Sequence, residues 1–214
     1  MVGLSGGIAS GKSTVARQLV ALGAVLVDAD AIVHELQTPG SPVLEEIVRA
    51  FGPEILAADG SLDRTALGAV VFRDPAAREL LGRIVHPPVG AEMARRTAAA
   101  RDACAPLVVL DIPLLFEGRA AGTGSAAQMG VDATVLVYVS PEIQVTRQMA
   151  RDGCDREEAL RRIASQMPIE DKKKLADHVI DNSGSPEVTE RQVRELYARL
   201  TGENDPTTGR EAAA

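Results

Sequence analysis

Residues Gly6-Gly7-Ile8-Ala9-Ser10-Gly11-Lys12-Ser13 form the pattern G-x-x-x-x-G-K-[ST] between a short apolar run, Met1 to Leu4, and a stretch with helical periodicity. The pattern requires a strand, a tight glycine turn and a helix in that order. Glycines let main-chain N–H groups curl around an anion, and the start of the helix adds the positive end of its dipole. Lys12 then reaches the β- and γ-phosphates of a nucleotide, and the Ser13 hydroxyl is placed to ligate Mg²⁺. A phosphate-binding role follows, but motors, switches and kinases share this loop, so no reaction is yet named.

Composition narrows the class. The chain has 214 residues, of which 45% are hydrophobic and 25% charged, enough for one domain with a sizeable insertion. Its net charge of -7 argues against nonspecific binding to polyanions. With 2% aromatic residues and no Trp, it has no stacking platform for single-stranded nucleic acid. Cys104 and Cys154 form no spaced framework, and His34, His86 and His178 are scattered, so neither a disulfide scaffold nor a zinc site is expected. No apolar run is long enough to suggest a membrane span, and no export signal opens the sequence. A cytoplasmic protein with no nucleic-acid, membrane or obligate protein partner is the expectation.

Short apolar runs alternate with helical stretches, which predicts an α/β fold with a mainly parallel five-stranded sheet flanked by helices. Strands are expected at Met1 to Leu4, Ala24 to Asp28, Leu107 to Leu110, Ala133 to Val139 and His178 to Ile180. Val15, Leu19 and Leu22, and later Val193, Leu196, Tyr197 and Leu200, form stripes that would cover the sheet. Residues 1–28 and 107–200 make the expected core. Residues 29–106 read as a helical substrate-binding insertion forming one wall of a cleft, because so long a stretch is no structureless loop. A helical lid is expected at about 152–177, with Asp155 capping a helix. Gly118 to Gly130 reads as a flexible loop, and residues 201–214 as a disordered tail.

Three carboxylates stand at expected strand ends, where open α/β sheets bind their ligands. Asp28 fits a helix N-cap. Asp30 is the better candidate for the base that orients a hydroxyl, since phosphoryl transfer through a loose transition state asks for alignment and late proton acceptance. Asp111, after Leu107-Val108-Val109-Leu110, has the form of a Walker B carboxylate holding Mg²⁺, or of an ordinary turn residue. Arg147 and Arg151 lie four apart on a helix starting at Pro141 and share a face with Gln144 and Gln148. On the residues alone this is a solvated polar face. Glu157 and Glu158 account for Arg161 and Arg162 as ordinary helix pairs, and Lys172-Lys173-Lys174 reads as a solvated run.

The ordered set of blocks is more specific than any one of them. Gly3 to Thr14, Asp28-Ala29-Asp30, His86-Pro87, Asp111-Ile112-Pro113-Leu114-Leu115-Phe116-Glu117, Ser140-Pro141-Glu142 with Gln144, Arg147 and Arg151, then Ala176-Asp177, Val179 to Asn182 and Gly184 resemble the dephospho-coenzyme A kinases of the P-loop kinase family. The resemblance runs over most of the chain. It implies a P-loop kinase core, a helical substrate domain and a lid. The activity implied is ATP-dependent phosphorylation of the ribose 3′-hydroxyl of dephospho-coenzyme A, with Mg²⁺ accompanying ATP.

On that pattern Asp30, Lys12 and Arg147 would be catalytic. Gly6, Ala9, Ser10, Gly11, Lys12, Ser13, Thr14, Arg151, Asn182 and Gly184 would bind ATP, Asn182 and Gly184 by framing the adenine through their backbone. Asp30 and His86 would hold the acceptor, and Ser13 and Asp111 the metal. Ala9 replaces a glycine common in the family, which matters only if that residue needs φ > 0. Rival readings are a related small-molecule or nucleoside monophosphate kinase, a nucleotide-dependent switch, for which no Asn-Lys-x-Asp tetrapeptide is present, and an idle ATP-binding module, against which Asp30 speaks.

Overall fold

The structure, a computed structural model, describes residues 1–122 and 130–202. Five strands, β1 (Val2–Gly6), β2 (Val25–Asp28), β3 (Val108–Asp111), β4 (Ala133–Tyr138) and β5 (His178–Asp181), form one sheet in the order β2-β3-β1-β4-β5, with β3, β1, β4 and β5 paired in parallel. The register places Leu4 beside Asp111 and Gly6 beside Val137. β3 therefore ends level with Leu4 while β1 continues to Gly6, and the helix that follows the glycine turn brings Lys12 back to the Asp111 carboxylate.

Period-two alternation decides what each face buries. Val135 and Val137 of β4 join Val2, Leu4, Val109 and Ile180 in a core with Val15 and Leu19 of α1 (Lys12–Ala21) and Val193, Leu196 and Tyr197 of α10 (Pro186–Thr201). Leu136 and Tyr138 turn the other way, onto Phe116 of α6 (Leu115–Ala121) and Ile169 of α9 (Ile169–Leu175). A sheet covered on both faces explains why β1, β3 and nearly all of β4 are buried throughout. Gly3 permits the close approach of α6, since a Cβ there would lie 2.8 Å from Leu115 Cδ2.

The remaining core helices are α7 (Pro141–Asp152) and α8 (Arg156–Ala164). Asp155 caps α8 by accepting from the Glu158 N–H at 2.8 Å. Glu157 pairs with Arg161 and Glu158 with Arg162, one turn apart, as their spacing predicts.

The chain divides into two compact units, residues 1–27 with 99–214, and residues 28–98. The second unit carries α2 (Ala29–Leu36), α3 (Pro42–Phe51), a 3₁₀ turn (Pro53–Ile55), α4 (Arg64–Val71) and most of α5 (Pro75–Asp102). Its helix starts are well specified: Asp28 caps α2, Ser41 caps α3 with Pro42 at the first position, and Asp63 caps α4. Arg96 of α5 binds Glu35 of α2 while holding Glu92 one turn back, and Arg64 donates to Gln37 at 2.7 Å.

Two expectations are corrected. The loop expected from Gly118 is helical through Ala121, because burial of Leu115 and Phe116 favours a helix that ends on Gly122 at φ 64; residues 123–129 lie outside the described residues. Thr201, expected to begin the tail, instead closes α10, and its hydroxyl donates to the Tyr197 carbonyl at 2.9 Å; residues 203–214, the rest of that expectation, lie outside the described residues.

Candidate active site

The glycine loop runs from the end of β1 into α1. Gly11 is the N-cap of α1 at φ 86 and offers no side chain to its first turn. The N–H groups of Lys12 and Ser13 thus lack an intrahelical acceptor, an arrangement that suits an anion. A Cβ on Gly11 would lie 2.2 Å from Asn182 Nδ2, so glycine is required there by both conformation and space. Ala9 sits at φ 59, the left-handed region that penalises a Cβ. The departure from glycine at this position therefore carries strain. Ser10 Oγ is buried without a partner, a polar atom ready for a phosphate oxygen or its water.

Behind the loop, three side-chain amides hold its main chain. Gln144 Nε2 donates to the Ile8 carbonyl at 2.9 Å, Gln166 Oε1 accepts from the Ile8 N–H at 3.2 Å, and Asn182 Nδ2 donates to the Ser10 carbonyl at 2.8 Å. Asn182 is itself fixed, its Oδ1 accepting from Thr189 Oγ1 at 2.8 Å. Gly7 is needed for this closeness, since a Cβ would meet Gln144 Nε2 at 2.2 Å. Gln144 and Gln148, expected on a solvated face of α7, are instead buried. Their residue types gave no apolar signal; the clue was their place on one stripe with Val145.

In front of the loop the Lys12 ammonium pairs with Asp111, which is only 4% exposed. Arg147 donates to the Asn182 carbonyl at 3.0 Å, and its guanidinium lies beside Gly11. Arg151 turns to the neighbouring Asp152 carboxylate at 2.6 Å, and Gly184 is exposed beyond Asn182. The first unit thus gathers Gly6, Ala9, Ser10, Gly11, Lys12, Ser13, Thr14, Asp111, Arg147 and Asn182 around one bend of chain. In the second unit, Asp30 is exposed in the first turn of α2, whose cap Asp28 accepts from the Ala31 N–H at 2.9 Å. His86 of α5 lines a cavity of about 510 Å³ with Arg64, Arg78, Leu81 and Gln37.

The lysine run also departs from expectation. Lys174 is exposed and pairs with Asp171, and Lys173 lies over the Tyr138 ring at 4.0 Å. Lys172 is fully buried, 2.7 Å from Glu117 Oε1, at an angle that makes an ion pair without a well-directed hydrogen bond. Tyr138 Oη donates to Glu170 at 2.7 Å, and that bond, with burial, pushes the phenol up to about 12.

The donor set fits magnesium. Asp111 and Ser13 are hard oxygen donors at the mouth of the loop, and a magnesium ion carried on nucleotide phosphates needs only one or two protein ligands. Among the described residues no group of three or more His, Cys, Asp or Glu could hold a metal by itself.

A parallel sheet whose first strand delivers a glycine bend into a helix, with Lys12 against a carboxylate on the adjacent strand, defines a P-loop kinase core. Comparison with known proteins is specific. The family model "Dephospho-CoA kinase" matches residues 1–187. The dephospho-CoA kinase of Symbiobacterium thermophilum is 48% identical over 214 residues, 99% of this chain and 87% of its own; that of Syntrophotalea carbinolica is 48% identical over 200 residues, 94% and 92%. A crystal structure from Thermus thermophilus superposes with a TM-score of 0.74 at 40% identity, covering 93% of this chain and 96% of that one. Dephospho-CoA kinase from Campylobacter jejuni gives 0.68 at 27%, covering 95% and 98%. The chain belongs to the dephospho-CoA kinase family.

Proposed function

We propose that the chain transfers the γ-phosphoryl group of ATP to the ribose 3′-hydroxyl of dephospho-coenzyme A, the final step of coenzyme A synthesis. The observation that carries the phosphoryl-donor half is the preformed anion site at the start of α1, with Lys12 and Asp111 facing each other across its mouth. The family supplies the acceptor.

In this reading the loop from Ala9 to Thr14 binds the ATP phosphates through the main-chain N–H groups that its own turn and helix leave without an acceptor, and Lys12 exchanges Asp111 for the β- and γ-phosphate oxygens. Ser13 and Asp111 are the residues that would hold the magnesium ion brought with ATP, which neutralises phosphate charge when bound. Asp30 orients the 3′-hydroxyl and accepts its proton late. Arg147 leaves the Asn182 carbonyl to stabilise the transferring phosphoryl group, and Arg151 turns from Asp152 toward the phosphates as the lid region closes and excludes water. Backbone at Asn182 and Gly184 frames the adenine, and His86 contributes to holding the acceptor. No helix among the described residues is long and apolar enough to cross a membrane, and both cysteines are free thiols, in keeping with a cytoplasmic enzyme.

A coupled ADP-release assay with dephospho-coenzyme A, with a nucleoside monophosphate and without acceptor tests the substrate. Release should depend on dephospho-coenzyme A; equal release in all three arms would leave only an ATPase, and preference for the monophosphate a different kinase.

A further inference from the structure

Lys172 has no place in the reaction as described above, yet it is the largest fully buried side chain among the described residues. The two lysines after it behave as surface residues, one on the Tyr138 ring and one beside Asp171. A buried ammonium next to a single carboxylate is a weak way to gain stability, since apolar residues of similar volume would serve as well or better. The pair does something an apolar contact cannot: it fixes the direction of one oxygen.

That oxygen, Glu117 Oε1, takes the Lys172 ammonium at 2.7 Å and the Met167 N–H at 3.0 Å. The residue before Met167 is Gln166, whose side chain accepts the Ile8 N–H of the glycine loop. α9 is meanwhile docked by Ile169 among Phe116, Leu136 and Tyr138, and by Glu170 on the Tyr138 hydroxyl. A continuous set of contacts therefore runs from Lys172 through Glu117 and the Gln166–Met167 main chain to the Ile8 peptide, one residue before the strained Ala9. With the Ile8 N–H directed to Gln166 and the Ser10 N–H closing a turn on the Gly7 carbonyl at 3.1 Å, the N–H groups left for an anion are those further along the loop.

We infer that Lys172 and Glu117 are positioning residues for the phosphate loop, acting through Gln166 to hold the Ile8 peptide in the orientation that receives ATP. The inference rests on the loop being the ATP site. Without the lysine charge, Glu117 turns toward water and releases Met167, and the loop must be ordered by the nucleotide itself, which weakens binding.

ATP titration calorimetry of the full chain separates this role from plain structural support, which would alter the melting temperature but not the ATP affinity of folded protein. Lys172→Met should weaken ATP binding about tenfold, and Lys172→Arg, which keeps the charge, should stay within about threefold of the wild type. Gln166→Leu should weaken binding by an amount similar to Lys172→Met, and the double variant no more than the worse single, the non-additivity expected of residues acting in series. Wild-type affinity in folded Lys172→Met, or losses that multiply in the double variant, would overturn the inference. Should Lys172→Met not fold, Glu117→Gln and Gln166→Leu, singly and together, carry the same comparison. A wild-type protein that fails to bind ATP would instead remove the assignment of the loop, an outcome visible before any variant is made.

Discussion

The Lys12 ammonium and the Asp111 carboxylate are paired across the ends of two adjacent parallel strands, the lysine at the first helical position after the glycine bend and the aspartate nine-tenths buried at the tip of β3. Each group neutralises the other where ATP and its metal would otherwise do so. In the proposed function the pair joins the phosphate-binding lysine and the metal-holding carboxylate in one contact.

Breaking it from either side should have different consequences. Lys12→Met removes a phosphate contact and should lower kcat/KM for ATP by about 10²- to 10³-fold, the usual loss for a preorganised donor at developing charge. Asp111→Asn should chiefly raise the magnesium concentration needed for half-maximal rate. Initial rates over a magnesium series distinguish the two, and identical series for both variants would contradict the division of roles. Chelation with EDTA should abolish turnover of the wild type.

Asp30→Asn should leave ATP affinity within about twofold and lower kcat by about 10²- to 10⁴-fold, the range for a positioned base. Paired calorimetry and turnover measurements check this. An unchanged kcat would remove Asp30 from the reaction.

Ala9 at φ 59 costs about 1 kcal/mol relative to glycine. Ala9→Gly should therefore raise the melting temperature by about 2–4 °C for a chain of this size. A lower melting temperature would show that the loop gains more from the stiffness of alanine in the unfolded chain than it loses to the left-handed turn.

Tyr138 provides a pH signature for the docking of α9. Its phenol is raised from an ordinary value of 10.0 to about 12 by donating to Glu170, so folding favours the neutral form. The contribution is fully present below pH 10 and is lost as pH rises through about 12. Tyr138→Phe should be less stable than wild type at neutral pH and should close that gap between pH 10 and 12. A constant difference in melting temperature across that interval would refute the coupling.

The parallel sheet was legible because its strands are short apolar runs set between amphipathic stripes, and the loop because its glycines, Lys12 and Ser13 form a fixed pattern. Asp28, Asp155 and the Glu157 and Glu158 pairs followed from local rules acting within one turn of helix. What escaped the sequence was long-range polar burial. Gln144 and Gln148 look solvated until Gln144 meets Ile8, 136 residues away, and Lys172 looks like one of three surface lysines until Glu117, 55 residues earlier in the chain, is placed against it. Local propensity carries no information about such partners. The same holds for Asn182, placed near adenine by resemblance, whose side chain also grips the Ser10 carbonyl.

The transfer itself is tested most directly by incubating the protein with ATP, magnesium and dephospho-coenzyme A and following the phosphorus by ³¹P NMR. One ADP should appear for each new phosphomonoester, with the ester phosphorus coupled to the proton on the ribose 3′ carbon. ADP accompanied by free inorganic phosphate, or an ester at another carbon, would contradict the account.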